Sequence, residues 1–250
     1  MSIKELLQIK DHRPWPLPQG AWKYYQEWND AIFLHWQVEE QELRKWVPDT
    51  LEIDLFEGKA WVSVVAFDME RIRPKVLPAF SPISNFHEIN IRTYVNYKGK
   101  QGVYFLSIEG SKRLSCQVAK SLSTLPYRYS VMRRRQGMYR STNGRLEDRL
   151  HLNFKIGAPV KQKSQLEWWL MERYALFQDS PGTINTYEIH HAPWPAKKVA
   201  VTSVELDYPR FRELFSGRPD LCHYSSGVQV LAWGNEKYIS QDLPLESNGN

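Results

Sequence analysis

Four side chains suited to acid–base or anion chemistry recur at every second position of one short stretch: Glu88, Asn90, Arg92 and Tyr94, inside NFHEINIRTYVNYKGK. In a β-strand successive side chains point to opposite faces, so these four share one stripe, opened by Phe86. Ile89, Ile91, Thr93 and Val95 take the other face, an ordinary core surface. A carboxylate, an amide, a guanidinium and a phenol on one stripe admit two readings. On a sheet with one wet face they form a charged exterior. On a sheet curled into a barrel they line an interior, and a polar interior implies a ligand cavity. Glu88 and Arg92 would stand ~13 Å apart at ~3.3 Å per residue, too far to neutralise each other yet both able to reach one ligand. A buried carboxylate without a counter-ion has a raised pKa, which suits a general acid or base.

The elements that must hold this stripe follow from period and punctuation. Lys98-Gly99-Lys100 reads as a turn into a second strand, Gly102 to Glu109. Lys59 to Arg73 is a strand with Trp61, Ser63, Val65 and Phe67 on one face and Val62, Val64 and Ala66 on the other, apolar enough for burial on both sides. Trp22 to Val38 reads as two strands about Asn29-Asp30, with Ile32, Leu34, Trp36 and Val38 opposite Phe33, His35 and Gln37. Ser2 to Lys10 and Glu39 to Trp46 are helical in composition. A Pro-rich segment from Arg13 to Pro18 must lie extended. The loop holding Pro74, Pro78 and Pro82 is a candidate lid or rim. Ser115 to Leu125 predicts a helix ended by Pro126, and Ser164-Gln165-Leu166-Glu167 is a capping box opening a helix to about Arg173. Further strands are expected over Tyr127–Tyr139, Leu146–Ile156, Thr183–Ala192, Ala200–Leu206 and Tyr224–Trp233. A helix should start at Pro209 and run to Phe215. Residues 240–250 read as a loose tail, residues 1–20 as an N-terminal extension, and the whole chain as one α+β domain.

With 250 residues, 42% hydrophobic and 13% aromatic, the chain can build a large core, and disorder is excluded as a class. Ten Trp point to cavity walls or rims, because a buried indole needs a partner for its N–H. Cys116 and Cys222 lack ligand spacing and read as reduced thiols. The N-terminus lacks the apolar run of a secretory leader and no stretch is long and apolar enough for a membrane span, so a cytoplasmic location is expected. The net charge of +5 is uneven: residues 112–149 carry ten Lys or Arg against Glu147 and Asp148, leaving the remainder at −3. That excess raises nucleic-acid binding, with Tyr127, Tyr129 and Tyr139 interleaved among Arg128, Arg133-Arg134-Arg135 and Arg140. A solvated basic face is the simpler account. The adjacent pair His190-His191 would point oppositely on a strand, so no metal site is expected. No nucleophile-elbow, dinucleotide or phosphate-loop motif occurs, and no cofactor is implied.

The order of blocks IFLHWQV, ELRKWVPDTLEIDLFEGKAWVSVVAF, FHEINIRTYV, KQGVYFLSIE, AKSLSTLPYRYSVM, LEWWLMERYALF, IHHAPWP and SGVQVLAW, from about Asp30 to Trp233, resembles the YqjF-like family. That is a bacterial domain of unknown function in the acetoacetate decarboxylase-like superfamily. The resemblance implies a closed, cone-like β-barrel or strongly curved antiparallel or mixed sheet with a few packed helices around a central cavity. In the distant decarboxylases a lysine, its ammonium pKa depressed by burial and a neighbouring cation, attacks a ketone as free amine. Glu88 falls where those enzymes have a pocket glutamate, and Ser63 where they have a second. AKSLSTLPYRY resembles the stretch carrying their paired lysines after a proline, but here Tyr127 and Arg128 follow Pro126. A phenol cannot form an imine. The arginine that holds the substrate carboxylate also has no clear counterpart near Asn29 and Asp30. Lys120 is left as a relocated amine or a pairing residue.

The resulting expectation is a small-molecule-binding protein for an anionic or carbonyl-bearing ligand, in which a homo-oligomer is compatible. Arg92 would clamp the ligand and Glu88 would act as acid, base or acceptor. Ser63, Asn90, Tyr94 and Tyr127 would hydrogen-bond it between walls such as Trp36 and Trp61. Arg173 and His190 stand as further ligand contacts, since buried polar groups need partners. The alternatives are a lyase acting on a small keto acid through Lys120 or Glu88, and nucleic-acid binding through residues 112–149.

Overall fold

The computed structural model describes residues 1–239, so the expected loose tail lies outside the described residues. The elements run in order α1 (Ile3–Leu6), β1 (Tyr24–Val38), α2 (Glu40–Arg44), β2 (Glu52–Ile53), β3 (Ala60–Pro74), α3 (Ser81–Ser84), β4 (Phe86–Tyr97), β5 (Lys100–Gly110) and α4 (Arg113–Leu122). They continue with β6 (Tyr127–Tyr129), β7 (Val131–Arg135), β8 (Met138–Asn143), β9 (Asp148–Pro159), α5 (Gln165–Met171), β10 (Ala175–Ser180), β11 (Thr183–His190) and β12 (Ala196–Asp207). A 3-10 helix at Pro209–Leu214, β13 (Leu221–Ala232) and β14 (Glu236–Ile239) complete the described residues.

This is a strand-dominated α+β fold. Seven strands close a ring of hydrogen bonds in the order β1-β3-β4-β5-β10-β11-β13, and β13 also leads outward through β12, β9, β8 and β7. The ring is not a clean barrel. Two of its joints are narrow: β10 meets β5 in parallel only at Leu176–Val103 and Phe177–Tyr104, and β11 meets β13 only at Ile189–Ala232 and His190–Leu231.

Alternation along the central strands builds two buried faces. Ile32, Leu34, Val62, Val64, Ala66, Ile89, Ile91 and Val95 join the larger apolar core. Ala31, Phe33, Val65, Phe67 and Phe86 join a second one with Val228, Val230, Met171 and Trp194. Trp61 and Tyr94 pack with Val103 and Leu170 beside it. Each aliphatic side chain taken fully from water contributes about 1.5–3 kcal/mol, so neither face is left to solvent.

Several expectations are corrected. Tyr24–Val38 is one strand, not two; the Asn29-Asp30 turn signal marks a bulge, with Asp30 at φ 51° and a register shift between Asn29 and Ile32. Gly227 faces that bulge at φ 130°, and a Cβ there would lie 2.4 Å from Asn29 Oδ1, so only glycine permits the approach. The strand expected over Tyr127–Tyr139 breaks at Gly137, φ 72°, into the β7–β8 hairpin. Strands β10 and β14 were not expected, and the Pro74–Pro82 loop is exposed, anchored through Ser84 Oγ donating to Ile72 O at 2.8 Å.

Candidate functional site

The stripe on β4 is buried. Glu88 is 3% exposed, Arg92 7% and Tyr94 0%. Register assembles its surroundings: Ser63 on β3 lies across from Arg92, and His35 on β1 lies across from Ser63. His223 on β13 lies across from Phe33, whose ring is 5.8 Å from the Arg92 guanidinium carbon. Four neighbouring strands thus deliver His223, His35, Ser63 and Arg92 to one face.

A hydrogen-bonded chain links them to α5. His35 Nδ1 lies 2.7 Å from Ser63 Oγ, and Ser63 Oγ lies 2.6 Å from the Tyr94 hydroxyl. The Tyr94 hydroxyl donates to Leu170 O at 2.9 Å, and Arg92 Nη2 donates to the same carbonyl at 3.3 Å. The other end of α5 is held as well: His223 Nε2 is 2.8 Å from Glu167 Oε1, and Glu167 belongs to the capping box with Ser164. The capping sequence therefore fixes both where the helix starts and how it sits over the stripe.

Glu88 takes its hydrogen bond from the Tyr127 hydroxyl at 2.9 Å. Burial pushes its carboxyl up to about 7, against the lowering effect of Tyr127 and Asn90, which hydrogen-bond the charged form. Burial and the Glu88 charge push the Tyr127 phenol well above its usual range, so it stays a donor. Burial first, then His223 and Arg92, hold His35 well below the usual imidazole range. Five buried polar atoms around this face have no partner: His35 Nε2, Trp61 Nε1, Asn90 Oδ1, Arg92 Nε and His223 Nδ1. Buried polar groups are normally satisfied, and here five atoms on one face find no protein partner.

The remaining candidates fall elsewhere. Trp36 is on the apolar side of β1, its ring edge-on to Phe215 at 5.1 Å; its position alternates with His35, and His35 is the one that faces Ser63. His190 binds Leu6 O through Nε2 at 2.9 Å under the N-terminal segment. Arg173 pairs with Asp54 at 2.7 Å and stacks on Trp169 and Tyr94, at 4.2 and 4.9 Å. Lys120 is exposed on α4, without the apolar enclosure that amine chemistry requires. The basic region also loses its stacking surface: Tyr139 is fully buried under Arg134, Tyr127 is spent on Glu88, and only Tyr129 of the three tyrosines is exposed. Arg134 itself pairs with Asp68 at 3.2 Å.

Sequence reasoning missed His35 and His223. The one available signal was that His35 alternates with Trp36, but matching its face to the stripe required the β1–β3–β4 register. Two clefts, of about 500 and 700 Å³, flank α5 and share Lys163 and Trp168. The first ends on Trp169 and Arg173, the two residues that pack on Tyr94.

Residues 25–229 match the family DUF2071, described as an uncharacterized conserved protein. The chain is similar to the uncharacterized protein YqjF of Bacillus subtilis (strain 168), with 34% identity over 231 residues, covering 89% of this chain and 95% of that one. Among solved structures it resembles acetoacetate decarboxylase from Legionella pneumophila, with a TM-score of 0.61, 14% identity and coverage of 92% and 94%. It also resembles the enduracididine biosynthesis enzyme MppR complexed with pyruvate, with a TM-score of 0.62, 8% identity and coverage of 90% and 93%. The chain belongs to the DUF2071 family and has the acetoacetate decarboxylase-like fold.

Proposed function

We propose that this DUF2071 chain binds a small anionic or carbonyl-bearing molecule at the buried stripe. Arg92 and Trp61 donate to its oxygens, Ser63, Asn90, Tyr94 and Tyr127 complete the polar wall, and Arg173 closes the cleft side. The observation that carries this reading is the set of five unpartnered buried atoms from β1, β3, β4 and β13. Leaving a buried donor or acceptor unmade costs about 1–3 kcal/mol, a cost that a ligand removes on binding. The pyruvate complexed with MppR supports a small acid as the class to try. The free thiols Cys116 and Cys222 support the cytoplasm as the compartment.

The experiment is thermal unfolding against a panel of small acids, pyruvate first. A ligand at about 100 times its Kd stabilises by ~2.7 kcal/mol, and Arg92→Met should abolish that gain. An unshifted melting curve across the panel, or a shift that survives Arg92→Met, would refute the assignment.

A second reading, acid–base catalysis on the bound molecule, is favoured by one observation: the Glu88 carboxyl pushed up to about 7 beside a phenol donor. A group poised near neutrality exchanges protons efficiently at physiological pH. Deuterium exchange at the methyl of pyruvate, followed by NMR in D2O, tests it; a rate no faster in the wild-type chain than in Glu88→Gln removes this role.

A further inference from the structure

Counting hydrogens from Leu170 to His35 fixes a tautomer. A carbonyl oxygen only accepts, so Tyr94 spends its single hydroxyl hydrogen on Leu170 O. The 2.6 Å contact between Tyr94 and Ser63 then needs the hydrogen of Ser63. Ser63 has none left, so its 2.7 Å contact with His35 needs a hydrogen on His35 Nδ1. A neutral imidazole carries one ring hydrogen, and burial with His223 and Arg92 nearby keeps His35 neutral. His35 Nε2 is therefore a bare lone pair, in a residue 0% exposed, with no partner.

We propose that His35 Nε2 accepts a hydrogen bond from a hydroxyl of the ligand, and that the site prefers 2-hydroxy acids to 2-oxo acids of the same skeleton. The proposal rests on the small-acid reading above and names its substrate class. Of the five unpartnered atoms, His223 Nδ1 belongs to the ring whose Nε2 donates to Glu167, and His35 Nε2 and Asn90 Oδ1 are acceptors whose lone pairs need donors. Two are donors, Arg92 Nε and Trp61 Nε1, which suit a carboxylate. A 2-oxo acid offers acceptors alone and leaves both lone pairs bare. A 2-hydroxy acid carries a donor one carbon from its carboxylate. An ammonium in that place would bring a positive charge toward Arg92, whereas a hydroxyl brings none. Sites built to bind a hydroxyl discriminate strongly against analogues lacking it, because their own buried groups are then left unpaired.

Two measurements on the full chain decide it. The first is the tautomer of His35 in 15N-histidine-labelled protein at pH 7, assigned by the resonance lost in His35→Phe. The expected state is a protonated Nδ1 and an unprotonated Nε2. A proton on Nε2, with or without one on Nδ1, overturns the inference whatever the ligand. The second is calorimetric titration with lactate and pyruvate. Lactate should bind about tenfold more tightly or better, a difference of ~1.4 kcal/mol. In Tyr94→Phe the Ser63 hydrogen is free to turn to His35 Nδ1, so the preference should fall to parity or reverse. Ser63→Ala, which removes that link altogether, serves the same purpose if Tyr94→Phe does not fold. Pyruvate binding as tightly as lactate would overturn the hydroxyl preference while leaving the small-acid reading intact. No heat from either acid overturns both.

Discussion

Two buried polar clusters occupy opposite faces of the same pair of strands, β4 and β5, and they are built on different rules. On the apolar-core side, Glu109 accepts from Ser130 at 2.5 Å and Ser141 at 3.5 Å, and Asn143 donates to Ser130 at 3.1 Å. Arg128 binds Ser107 nearby, and Arg210 pairs with Asp148 at 3.1 Å. Two carboxylates thus sit among two guanidiniums. On the stripe side, Glu88 meets only the neutral donors Tyr127 and Asn90, and Arg92 meets only a backbone carbonyl. Neither forms an ion pair among the described residues. The short strand β6 serves both clusters with adjacent residues, Tyr127 toward Glu88 and Arg128 toward Ser107. The first cluster contains an ion pair, Asp148–Arg210, and the stripe contains none; unpartnered buried atoms occur in both, with Glu109 Oε1, Arg128 Nε, Asp148 Oδ1 and Arg210 Nε in the first.

The largest test of that contrast is Arg210→Met. It strands the Asp148 carboxylate, whose side chain is 0% exposed, and should cost about 3 kcal/mol in urea unfolding. Loss below ~1 kcal/mol would make the matched cluster dispensable. Glu88→Gln should act in the opposite sense and depend on pH. Because the folded carboxyl is raised to about 7 from 4.5, the folded chain holds its proton where the unfolded chain has released it. Wild-type stability therefore falls as pH rises through that window, by up to about 3 kcal/mol at ~1.4 kcal/mol per unit. Glu88→Gln should flatten that part of the pH–stability curve and be the more stable chain at pH 8. Equal slopes for the two chains would place Glu88 in a matched environment after all.

Tyr127→Phe is subtler. It removes the hydrogen bond that favours ionised Glu88, worth about 1 kcal/mol, and should move the midpoint of the same pH transition upward. A downward movement would contradict the assigned donor. Smallest of all is Lys120→Ala, an exposed site outside both clusters, expected within ±0.5 kcal/mol of wild type and without effect on acid binding. A loss of binding there would bring back the expectation of Lys120 as a relocated amine.

The legible part of the chain was whatever a local period writes down. The two faces of β3 and β4, the hairpin turn at Lys98-Gly99 and the start of α5 at Ser164 followed from alternation and capping alone. The stripe itself was visible, but its burial was not, because a polar face reads the same toward water or toward a neighbouring element. Trp36 and His35 show where local reading ends. Both sit on one strand, and choosing between them required knowing which face of β1 the β3 register turns toward Ser63. Strand β10 escaped because Ala175–Ser180 is short and lacks flanking turn chemistry on its N-terminal side, where it runs straight out of Arg173 and Tyr174.

The narrow joints of the strand ring have a mechanical consequence. The β10–β11 hairpin, paired along six positions internally, is fastened to β5 by two positions, to β13 by two more and to the short strand β14 by four. It behaves as a panel stitched at its edges, and the cheapest subglobal opening parts those stitches while β1, β3 and β4 stay zipped. Amide exchange should accordingly be fastest at Val103, Leu176 and His190 among the ring's paired residues. Each such excursion would loosen the packing of Val103 and Leu176 around Tyr94, so the side chains least exposed at rest would be the ones most coupled to that seam.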